Sequence, residues 1–199
     1  MKRYAACRAS FLFGGRMNPR YLFLCAALVF AGSGAVHAQM PPVPAPDQLA
    51  LLKSSDPKLA ANKKLVFDMY RAIVQGGHTE NAEQYFTPEY IQHNPNVASG
   101  RDALVKYIKQ TRPAVPLKPL LDFPVIAIMA EGDLVTIAVV SWADDPEKPG
   151  QRYANTHFDM YRIQNGKIAE HWDHVAKSQA AQHFNPNVET KEKKPAGGK

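Results

Sequence analysis

The chain has 199 residues and a formal charge of +6, with two cysteines and seven histidines. The excess charge sits at the start: residues 1–38 hold Lys2, Arg3, Arg8, Arg16, Arg20 and no acid, so without these five cations +6 becomes +1 on the remaining 161 residues (199 less 38). A near-neutral remainder excludes nucleic acid and anionic membrane surfaces as partners, since both select a basic face. It also carries neither Cys7 nor Cys25, which excludes disulfide and thiol chemistry.

In chain order, the basic start is followed by an apolar run from Tyr21 to Ala31 and by small residues ending in Val36-His37-Ala38. That is the pattern of a secretory signal peptide, and the run is shorter than the ~20 apolar residues that span a bilayer. Cleavage is expected after Ala38, giving a periplasmic or secreted protein without membrane contact afterwards. Met17, before Asn18-Pro19-Arg20, offers an alternative start. Residues 39–55 contain Pro41, Pro42, Pro44 and Pro46 and read as a Pro-rich linker. One domain is expected over residues 56–188. The last stretch, 189–199, is Lys, Glu, Pro and Gly without a large apolar residue, a disordered tail that cannot repay its ordering entropy.

Within the domain, Asp56-Pro57 is a helix start, a capping carboxylate followed by proline at the first helical position. Leu65, Val66, Met69, Tyr70, Ile73 and Val74 then recur at helical spacing, and Gly76-Gly77 ends the run. Thr79 to Phe86 reads as a short second helix, Glu89 to His93 as a brief extended segment closed by Asn94-Pro95-Asn96, and Gly100 to Arg112 as a third helix. Strands are expected over Leu120–Ala130, Leu134–Trp142 and Tyr153–Val175, the last folded into a hairpin at Gln164-Asn165-Gly166, because both residues of an Asn-Gly pair tolerate φ > 0. Helices first and an antiparallel meander afterwards is an α+β layout, with a cone-shaped curved antiparallel sheet packed on three N-terminal helices.

Alternation in the hairpin decides where its chemistry lies. Every second side chain shares a face, so His157, Asp159 and Tyr161 stand together in one strand and His171, Asp173 and Val175 in the next. Two histidines and two aspartates on one sheet face form the floor of a polar-bottomed pocket, since charged residues rarely enter a core unpaired. Trp172 falls on the other face, as packing or dimer interface. Histidine is the side chain whose ordinary pKa, about 6.5, lies closest to neutrality, which makes His93 a candidate base, and either it or Asn94 faces the pocket. His157, His171 and Asp173 offer two imidazoles and a carboxylate, ligand types that suit zinc or iron. No HxH or HExxH spacing supports a metal, and the reading is of a site without metal.

Tyr90-Ile91-Gln92-His93-Asn94-Pro95 with Gly100 following, Asp159-Met160-Tyr161-Arg162, and Gly166-Lys167-Ile168-Ala169-Glu170-His171-Trp172-Asp173 together resemble the SnoaL-like polyketide cyclases within the nuclear-transport-factor-2-like superfamily, over roughly residues 62–175. The resemblance implies the cystatin-like cone fold, a pocket for a small hydrophobic carbonyl compound, cofactor-free acid/base chemistry and a homodimer through the outer sheet face. It places an acid/base aspartate on the last strand, here Asp173, with His171 and His157 beside it. Pressed towards ketosteroid isomerase, it matches Tyr70 and Asp159 to that enzyme's oxyanion pair, which requires Asp159 to stay protonated. Asn94 falls where the isomerase has its catalytic aspartate, so His93 is the substitute base. The expected function is aldol-type cyclisation, isomerisation or dehydration; the alternative is a non-catalytic ligand-binding or dimerisation module on the same fold.

Overall fold

The structure is a computed structural model that describes residues 40–177. The expected signal peptide and the expected tail lie outside the described residues. Helix α1 spans Pro57–Met69; the Asp56 carboxylate accepts from the Lys58 amide at 2.7 Å and the Leu59 amide at 3.4 Å, and proline occupies the first turn, where its missing N–H costs no bond. The helix runs on as a π-turn over Tyr70–Gln75, in which the Gly76 N–H reaches back to the Arg71 carbonyl at 2.9 Å. Gly77 ends it at φ 68°, and a Cβ there would stand 2.9 Å from the Pro113 carbonyl oxygen. Gly77→Ala is therefore expected to cost about 1–3 kcal/mol, visible as a lower urea midpoint at unchanged slope. An unshifted midpoint would mean that the Pro113 segment gives way freely.

After a short turn, helix α2 (Ala82–Tyr85) leads directly into strand β1 (Phe86–Gln92), and helix α3 covers Arg101–Thr111. Strands β2 (Val125–Glu131), β3 (Leu134–Asp144), β4 (Arg152–Gln164) and β5 (Lys167–Asp173) form the expected antiparallel meander. The sheet order is β1-β5-β4-β3-β2. β1 begins earlier than the sequence suggests and lies parallel to β5, at the sheet edge. That position explains how Pro88 fits inside a strand, since an edge strand has one side with no ladder to supply. Register shifts between Phe86 and Ile91, Val125 and Ala127, and Arg162 and Ile163 bend the strands and curve the open sheet.

The concave face packs on α1 and the π-turn, burying Val66, Phe67, Met69, Tyr70 and Ile73 against Val135, Ile137, Tyr161 and Ile168. Residues 45–53 belong to this body rather than to a spacer. Ala45 donates to the Val125 carbonyl at 2.8 Å, the Gln48 amide brackets both backbone groups of Leu121 at 2.9 and 3.0 Å, and Leu51 and Leu52 pack on the core.

Candidate functional site

Between the concave sheet face, the π-turn and α3 lies a cavity of about 90 Å³. That is room for several water molecules or a small organic group. Its floor is the hairpin face expected from alternation. Ile137, Asp159 and Asp173 are successive partners across β3, β4 and β5, as are Val135, Tyr161 and His171 one step along, so the two carboxylates stand side by side. Val175 lines the cavity just beyond β5, and Tyr70 lines it from the π-turn.

Asp159 is 6% exposed and is surrounded by donors. His157 Nε2 lies 3.1 Å and His171 Nε2 2.9 Å from its Oδ1, while the Tyr70 hydroxyl donates to its Oδ2. Tyr161 donates in turn to the Tyr70 oxygen at 3.4 Å. Burial by itself would push the Asp159 carboxyl up, but the hydrogen bonds and charge of the two imidazoles outweigh it and hold the group well below the usual carboxylate range. This corrects the expectation of a protonated Asp159 acting with Tyr70 as a pair of oxyanion donors. Asp159 accepts, and the Tyr70 proton is spent on it. Tyr70 itself is pushed well above its ordinary value, by burial first and by Asp159 next.

The second histidine bond fixes a proton. Gln92 Oε1 accepts the Asn94 backbone N–H at 3.0 Å, so the side-chain amide is oriented by an unambiguous donor. His171 Nδ1 meets that same oxygen at 2.7 Å and therefore carries a hydrogen. Its Nε2 faces the carboxylate, so ring and carboxylate hold one proton between them. The ring is kept in place by stacking on Tyr161, centroids 4.8 Å apart.

Asp173 is built differently. Its Oδ1 accepts the Val175 amide at 3.0 Å and its Oδ2 the Asn94 Nδ2 at 2.6 Å; both donors are neutral. Asn94 is fixed as donor because its own Oδ1 receives the Asn96 backbone N–H at 2.8 Å. Of His93 and Asn94, it is thus Asn94 that faces the cavity. His93, expected as a base, does not. Alternation on β1 sends Tyr90 and Gln92 inward and Ile91 outward, and His93 follows Ile91: its ring stacks on Trp172 at 4.6 Å and its Nε2 meets Glu170 at 3.1 Å on the outer face. Trp172 also lies under the Arg162 guanidinium, 5.5 Å from its centroid, as packing of the outer face.

Tyr90, Gln92 and Arg112 are among the cavity residues that escaped the sequence reading. Tyr90 and Gln92 were legible in principle, because they share parity with Asn94 on β1. Arg112, just past the end of α3, is 8% exposed and lines the cavity, with burial lowering its affinity for its proton; its spacing of four from Ile108 and eight from Leu104 continues the buried stripe of the helix. As for a cation, Asp159, His171 and Asp173 can each offer one atom within 4.8 Å of the others, differing from the expected set by Asp159 in place of His157. To ligate, His171 Nε2 would have to give up its bond to Asp159.

An open, curved α+β sheet holding a small acid/base cavity defines a cone-fold ligand-binding protein. The sequence profile of the SnoaL-like polyketide cyclases matches residues 64–183, and the chain belongs to that family. No functionally curated protein matches it. Among solved structures it is similar to TsrD from Streptomyces laurentii (22% identity, 60% of this chain and 90% of that one, TM-score 0.42). It is likewise similar to a candidate polyketide cyclase from Acidithiobacillus ferrooxidans (21%, 61% and 89%, 0.44) and to IdmH from Streptomyces antibioticus (22%, 56% and 89%, 0.41).

Proposed function

We propose that the protein is an exported acid/base catalyst for a small hydrophobic carbonyl compound, with Asp173 as the base. The observation that carries this is the contrast between the two carboxylates. Asp159 is committed to two histidines and a tyrosine, whereas Asp173 faces the same cavity held by two neutral N–H groups, which position it without neutralising it. In an aldol-type closure Asp173 takes the proton from the carbon beside the carbonyl, and the C–H electrons move onto the carbonyl oxygen as an enolate. The enolate carbon attacks a second carbonyl of the same molecule, and protonated Asp173 returns its proton to the new alkoxide. No atom is gained or lost, and the same first step serves an isomerisation or a dehydration.

The leader pattern supports the reading of export, and the family resemblance the reading of a homodimer. The dimer reading is supported by Met129, Trp142 and Phe158, which alternation puts on the outer sheet face, each more than 40% exposed. The test of function is hydrogen exchange: small ketones and aldehydes incubated with the mature protein in D2O should lose the proton NMR signal beside their carbonyl faster than in buffer. Exchange no faster than buffer across a panel that the protein nonetheless binds would establish the ligand-binding module instead.

A further inference from the structure

We propose that the Tyr90 hydroxyl is a ligand-binding donor of this cavity, aimed at the oxygen on which a bound molecule carries or gathers negative charge. Its catalytic meaning rests on the acid/base reading above; its binding role does not. The argument begins at Asn94. The Asn94 backbone N–H holds Gln92 Oε1 at 3.0 Å, which leaves Gln92 Nε2 at the other end of the amide, 3.2 Å from the Tyr90 oxygen. An amide nitrogen donates and cannot accept, so the Tyr90 oxygen is the acceptor in that bond. Its own proton must point elsewhere.

Tyr90 is 2% exposed and lines the cavity. Among the described residues no acceptor takes its proton, and a buried hydroxyl donor is nearly always satisfied; the side open to a ligand or water is the cavity. The ring is fixed edge-on against Phe86, centroids 5.0 Å apart, so the hydroxyl is held in place rather than swung towards solvent. Burial, with Asp159 and Asp173 adding to it, pushes this phenol well above its ordinary value, and it keeps its proton across the working range. The neighbouring tyrosines differ: Tyr161 gives its proton to Tyr70 and Tyr70 gives its own to Asp159. Tyr90 therefore supplies what the expected pair of Tyr70 and Asp159 does not, a donor for an enolate oxygen in the cavity that holds the Asp173 carboxylate. The ligand class follows: a small, largely apolar molecule bearing a carbonyl, enolate or phenolate oxygen.

The probe is 4-nitrophenol, whose absorption distinguishes phenolate from phenol. The mature wild-type protein should bind it as phenolate. Tyr90→Phe keeps the ring and its contact with Phe86, and should weaken that binding about tenfold or more, the usual effect of a hydrogen bond to a charged group, with a melting midpoint close to wild type. Should that variant fold poorly, 3-fluorotyrosine placed at position 90 is a stronger donor and should bind the probe more tightly than wild type. Unchanged affinity in the tested variant, probe bound as neutral phenol, or no binding by wild type would each overturn the proposal. Affinity lost in Tyr90→Phe, with wild type giving no carbonyl exchange in D2O, would sustain Tyr90 as a binding donor and remove the catalytic reading instead.

Discussion

Asp173→Asn is expected to slow hydrogen exchange beside the substrate carbonyl by about 10²–10⁴-fold, the range that positioned proton transfer contributes. The side chains are close to isosteric, so the loss measures the missing proton acceptor and not a missing shape. The local bonds permit the comparison. An asparagine at 173 keeps one oxygen, which accepts from Asn94 Nδ2 as Oδ2 does now, while its new NH2 group meets the Val175 amide that Oδ1 accepts today. That donor-donor contact costs on the order of 1 kcal/mol, and at a half-buried position water relieves part of it. The variant should fold, bind a neutral ligand as wild type does, and fail in turnover. Retained exchange would remove Asp173 as the base and shift attention to the pair formed by His171 and Asp159. Equal ligand affinity with no exchange in either protein would favour a carrier.

Much of this site was legible in the hairpin, and the reason is geometric. Strand alternation has a period of two, so it groups His157, Asp159 and Tyr161 on one face of β4 and His171 and Asp173 on one face of β5, while the register shift between Arg162 and Ile163 brings the two groups onto the same face of the sheet. The end of α1 was equally legible because Gly76-Gly77 admits few other backbones. What resisted reading was partnership. Nothing in the order of residues says that both histidines turn to Asp159 and leave Asp173 to Asn94, since that depends on strand register and on rotamers set by packing. His93 illustrates the same limit. Its chemistry recommended it as a base, but alternation along β1 turns it outward to Glu170 and Trp172. β1 itself was read short because Phe86 was given to the preceding helix, and the reader of a sequence cannot see that this strand, with Pro88 in it, lies at an edge. Arg112 stands four residues beyond Ile108 on the buried stripe of α3, but its charge argued for solvent.

Asp159→Asn is expected to lower stability by about 3–5 kcal/mol at neutral pH, the range for removing one partner from a buried ionic network, which for a domain of this size is a fall of about 10 °C or more in melting midpoint. Three donors converge on this carboxylate. An amide offers one oxygen and adds an NH2 group of its own, so buried N–H and O–H groups are left facing one another. Part of the cost is pH-dependent, and its sign follows from the direction of the shift. Asp159 is held below its ordinary range in the folded protein, so the unfolded chain takes up its proton first, near pH 4. The stabilisation is then complete above that pH and is lost as pH falls further. Urea unfolding of wild type and variant at pH 7 and at pH 3 should therefore show the gap between them narrowing on acidification. A constant gap would mean that the loss is purely one of packing and unsatisfied donors. A variant as stable as wild type at pH 7 would mean that desolvating the carboxylate already cancels all that Tyr70, His157 and His171 return to it, and that the network persists in this fold for the sake of the cavity it shapes.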